Sequence, residues 1–73
     1  MELKGLKEIR KKKNYTQLKV AFALSMSREA LCHYENGTRN PDIATLLRMS
    51  QYFDVSIDYL ITGEEFTPKF KKQ

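Results

Sequence analysis

Thr16-Gln17-Leu18-Lys19-Val20-Ala21-Phe22-Ala23-Leu24-Ser25-Met26-Ser27-Arg28-Glu29-Ala30-Leu31-Cys32-His33-Tyr34-Glu35-Asn36-Gly37 is the stretch that decides how the rest of the chain is read. Its apolar residues recur at helical spacings and do not alternate as they would in a strand. Thr16 can cap a helix whose buried face is Val20, Ala21 and Leu24. Ser25-Met26-Ser27 leaves room only for a tight turn. Ser27 can cap a second helix with Leu31 and Tyr34 inward, and Glu29 in its first turn suits the helix dipole. Gly37 ends that helix as a left-handed residue. Two short helices joined by a tight turn then present Arg28, Glu29, Cys32 and His33 outward near the start of the second.

Upstream, Leu3, Leu6 and Ile9 predict another helix, ending near Asn14, with Gly5 weakening its first turn. Downstream, Gly37-Thr38-Arg39-Asn40-Pro41 reads as a loop. Asp42 can cap a further helix with Ile43, Leu46, Met49, Ser50 and Phe53 inward. Ser56 caps a short last helix, Ile57 to Ile61, stopped by Gly63. No repeat or low-complexity tract interrupts this pattern. The expected fold is all-α: a compact five-helix domain over residues 1–63, followed by a short basic tail over 64–73.

A chain of 73 residues supports one domain and buries only about 60% of its unfolded surface. Disulfides cannot compensate, because Cys32 is the only cysteine, and a lone cysteine suits a reducing, cytoplasmic setting. No apolar run approaches the roughly 20 residues that span a bilayer, and no signal peptide is visible. The net charge is +4 and unevenly spread: residues 1–41 hold nine of the thirteen Lys/Arg, whereas residues 42–66 hold one Arg and five acids. Lys69, Lys71 and Lys72 follow. A basic first half suggests a face prepared for phosphates, although charge alone does not separate this from a solvated surface.

Enzymatic chemistry finds little support. The chain has one histidine and one cysteine, and no glycine-rich phosphate cradle or paired-carboxylate pocket. Cys32 and His33 are sequence neighbours on one helix, so they point apart by about 100° and cannot act as nucleophile and base. No metal site or cofactor is expected.

The pieces Leu6-Lys7-Glu8-Ile9-Arg10, Thr16-Gln17, Val20-Ala21, Leu24, Met26-Ser27, Tyr34-Glu35-Asn36-Gly37, Arg39 with Pro41, Leu46-Leu47 and Val55-Ser56-Ile57-Asp58-Tyr59-Leu60 occur in this order over residues 3–63. In this order and spacing the chain resembles the lambda-repressor-like (Cro/repressor, XRE) helix-turn-helix domains. The resemblance implies five helices, cytoplasmic binding of double-stranded DNA, usually a homodimer, and usually transcriptional repression.

A helix fits the major groove, where each base pair shows a distinct donor and acceptor pattern. The expected base-reading residues are Arg28, Glu29, Cys32 and His33. Arg28 suits guanine O6 and N7, Glu29 a cytosine amino group, and His33 a purine N7 or a phosphate. Glu29 is also explained by the helix dipole alone. Cys32 invites a redox switch, but a small residue beside a thymine methyl is the plainer reading. Gln17, Asn36 and Arg39 are expected at phosphates. Lys11, Lys12, Lys13 and Lys19 read as a generally attractive surface.

The resemblance further implies an ion pair between Arg10 and Glu35, bracing of Arg28 by Gln17, and pairing of two copies through the last helix. Ile57, Tyr59 and Ile61 are the expected dimer residues, with Leu60 facing the core and Tyr59 able to do either. The chain departs from the family at Ser25, where glycine is usual, and at Leu18, Phe22 and Tyr52, where apolar side chains point outward. Phe66 and Phe70 are possible covers for that patch. The patch also supports an alternative function, an antitoxin or adaptor-type interaction module retaining the DNA-binding fold, with a toxin or anti-repressor as partner.

Overall fold

The computed structural model describes residues 2–64. Among them are five helices and no strand: α1 Lys4–Lys12, α2 Gln17–Ala23, α3 Arg28–Asn36, α4 Ile43–Phe53 and α5 Ile57–Thr62. The all-α expectation holds. The expected covers Phe66 and Phe70 lie outside the described residues.

Local chemistry sets the helix starts. The Lys19 N–H donates to Thr16 Oγ1 at 3.0 Å and the Ala30 N–H to Ser27 Oγ at 3.0 Å. The Thr45 N–H donates to Asp42 Oδ1 at 2.8 Å and the Tyr59 N–H to Ser56 Oγ at 3.0 Å. Each cap satisfies an N–H that the first helical turn leaves without a partner. Hydrogen bonds from the Thr45 side chain and backbone hold the exposed Asp42 carboxyl below its ordinary 3.8. The cap at Asp42 is therefore complete above that value and is lost only as pH falls through the lower folded-state one. Gly37 and Gly63 close α3 and α5, both at φ 83°.

Leu3, Leu6, Val20, Ala21, Leu24, Leu31, Met49, Phe53 and Leu60 form one buried cluster drawn from every helix or its cap. Tyr15 and Tyr52 add a rim, with ring centroids 6.1 Å apart. Gly5 sits where α1 crosses α5: a Cβ there would lie 1.7 Å from the Tyr59 carbonyl oxygen. Its place in the helix is a condition of close packing, not only a weakness of the first turn.

Two expectations change, at Ile43 and Tyr59. Ile43, expected inward, is 78% exposed. It is the first residue of α4 and lies at the edge of the stripe made by Leu46, Met49, Ser50 and Phe53. Tyr34, expected inward, does pack against the core cluster and is half-buried. Tyr59, expected in part at a dimer interface, is turned into the fold and is 9% exposed. The backbone contact with Gly5 draws that side of α5 onto α1.

Candidate nucleic-acid interface

The turn between α2 and α3 sets the geometry of the site. Ser25 takes φ 56° in place of the usual glycine. The Met26 N–H then bonds back to the Ala21 carbonyl at 2.9 Å. Arg48 of α4 donates to the Leu24 carbonyl, which fastens the end of α2 from the other side. The first residues of α3 emerge from this turn. Arg28, Glu29 and His33 are exposed and Cys32 is half-buried.

Behind this exposed face lies a chain of polar contacts. Arg10 Nε donates to Glu35 Oε2 at 2.6 Å, and Nη2 donates to Oε1 at 3.2 Å. The remaining Arg10 nitrogen, Nη1, donates to the Tyr15 carbonyl at 2.9 Å. Side-chain exposure in the pair is 10% for Arg10 and 1% for Glu35, so both charges are largely desolvated. A fork-to-fork geometry of this kind binds α1 to the last turn of α3.

Glu35 Oε1 also accepts from Gln17 Nε2 at 3.0 Å. The Gln17 amide nitrogen faces Glu35, so its oxygen faces outward and accepts from Arg28 Nη1 at 3.3 Å. The network therefore runs from a buried ion pair, through one half-buried amide, to the exposed guanidinium at the head of α3. The bracing implied by the resemblance is present, and Glu35 supports it in a way that sequence reading did not foresee.

The other expected site residues fall around the same helix. His33 Nδ1 lies 2.7 Å from Thr38 Oγ1, a partner the sequence did not suggest. The Asn36 amide donates to Cys32 Sγ at 3.4 Å, one turn back. Asn36 and Arg39 are exposed beyond the base-facing turn. Ile57 and Ile61 are half-buried on α5, one helical turn apart. Among the described residues no group of three or more His, Cys, Asp or Glu is placed to hold a metal ion. No helix there is long and apolar enough to cross a membrane.

Residues 6–60 match the helix-turn-helix family. Over 69 residues the chain is 42% identical to YqaE of Bacillus subtilis strain 168, an uncharacterized HTH-type transcriptional regulator, covering 94% of this chain and 60% of that protein. It is 42% identical over 66 residues to the HTH-type transcriptional regulator ImmR of the same strain, covering 90% of this chain and 52% of ImmR. It is 40% identical over 60 residues to the HTH-type transcriptional activator BcrR of Enterococcus faecalis, covering 82% of this chain and 29% of BcrR. The chain thus spans about half the length of the first two relatives. All three are transcriptional regulators by name, and none is an enzyme by name.

Proposed function

The chain belongs to the helix-turn-helix family, and from that premise we propose that it is a sequence-specific reader of double-stranded DNA in transcriptional regulation. The observation that carries this reading is the braced guanidinium of Arg28, held by Gln17 at the exposed head of α3. A side chain oriented before binding loses less freedom when it reaches a base edge. Arg28 reads a guanine through O6 and N7, with Glu29, Cys32 and His33 following along the groove. Gln17, Asn36 and Arg39 hold phosphates on either side and set the register.

A single module buries only about 600–1,000 Å² against DNA, which limits specificity. Two copies pairing through Ile57 and Ile61 read a palindrome with half-sites about one helical turn apart. Repression in the cytoplasm is the mode expected of such a dimer, which occludes the promoter it binds.

The test is fluorescence anisotropy of the DNA upstream of the chain's own gene across a salt series, beside a scrambled duplex. Saturable binding to one palindrome, well above the scrambled control, is the expected result. Equal binding to both sequences that vanishes as salt rises would reduce the interaction to charge alone.

A further inference from the structure

On the outer side of α2 a groove of about 580 Å³ opens between Thr16, Leu18, Lys19, Phe22, Ala23 and Tyr52. Leu18 is 66% exposed and Phe22 is 86% exposed. Val20, Ala21 and Leu24 already supply the buried face of this helix, so the fold has no use for either side chain. The two stand at i and i+4, neighbours on the helix surface. Two anchors one turn apart beside an aromatic wall are what the apolar stripe of another helix packs against.

The charges around the groove select the occupant. Lys19 stands within it, with Nζ 4.9 Å from the centre of the Tyr15 ring. Arg48 lies one turn before Tyr52 on α4 and reaches the end of α2 at the Leu24 carbonyl. Lys11, Lys12 and Lys13 are exposed where α1 leads into Tyr15, whose ring stands beside that of Tyr52. An apolar floor with the Lys19 ammonium at its edge and further cations on the flanking elements complements a segment with apolar anchors and carboxylates beside them. A second copy bringing the same groove face-to-face would set these cations against each other. We infer that the groove binds an acidic, amphipathic helical segment of another protein, with Leu18 and Phe22 as anchors and Lys19 as charge partner.

The probe is a fluorescent synthetic amphipathic peptide with Leu at i, i+4 and i+7 and Glu at its exposed positions. Its counterpart carries Lys in place of Glu. At low ionic strength the acidic peptide should bind at least tenfold tighter than the basic one, and the gap should shrink with added salt. Leu18→Ser with Phe22→Ser should weaken the acidic peptide at least tenfold while leaving the circular dichroism spectrum and Tm unchanged, because neither side chain is in the core. Lys19→Glu should narrow the difference between the two peptides. Failure of both peptides to bind, equal binding of both, or binding indifferent to the double substitution overturns the inference. So does sedimentation showing a dimer for the wild-type chain and a monomer for the double variant, which would give the groove to a second copy.

Discussion

Ser25 occupies the left-handed region, φ 56°, in the turn between α2 and α3. A side chain costs about 1–2 kcal/mol there, because Cβ crowds the following carbonyl. Glycine removes the clash but loses more freedom on folding. Ser25→Gly should therefore stabilise the domain by about 1 kcal/mol, raising Tm by roughly 4–8 °C in thermal denaturation. No gain would mean that the turn relaxes around the serine. Asn14 and Asp54 take similar angles, φ 61° and φ 58°, but are of the type that tolerates them. Gln17 carries most of the network at this scale. Its nitrogen is claimed by Glu35, which leaves only its oxygen to meet Arg28.

At the scale of elements, α1 and α5 approach through Gly5. Helix propensity alone favours Gly5→Ala by about 0.5–1 kcal/mol. Packing opposes it, since the new Cβ would meet the Tyr59 carbonyl oxygen at 1.7 Å and the two helix backbones would have to move apart. The net expectation is a loss of about 1–3 kcal/mol, read as a lower urea midpoint with an unchanged slope. A stabilised variant would show that the crossing is looser than this. The same contact marks the limit of sequence reading. Caps at Thr16, Ser27, Asp42 and Ser56 were legible because each bonds an N–H only three residues away. The core stripe of α2 was legible from its spacing. The roles of Gly5, Tyr59 and Ile43 were not, because they depend on which helix lies opposite and where it ends. At the site, the outward set Arg28, Glu29 and His33 followed from helical phase alone. The links from Glu35 to Gln17 and from His33 to Thr38 join residues 18 and 5 positions apart and needed the folded chain.

Across the whole molecule, the Arg10–Glu35 pair joins α1 to the end of α3 and also supports the amide that braces Arg28. Arg10→Leu strands the Glu35 carboxylate in a largely dry position and should cost about 3–5 kcal/mol, enough to unfold a domain this small. A variant that melts like the wild type would contradict the burial of the pair. Replacing both partners, Arg10→Met with Glu35→Leu, removes the stranded charge and should recover most of that stability. It also removes the acceptor for Gln17 Nε2. The double variant is therefore expected to fold but to discriminate less between its site and scrambled DNA, a separation that circular dichroism and anisotropy together would show.

If Arg28 reads a base, anisotropy of the Arg28→Ala variant on the palindrome selected from the upstream DNA and on a scrambled duplex will separate base contact from phosphate contact. Binding to the palindrome should weaken by about 1–3 kcal/mol while the scrambled duplex changes little. The same loss on both duplexes would place Arg28 at a phosphate and rule out base reading by this side chain.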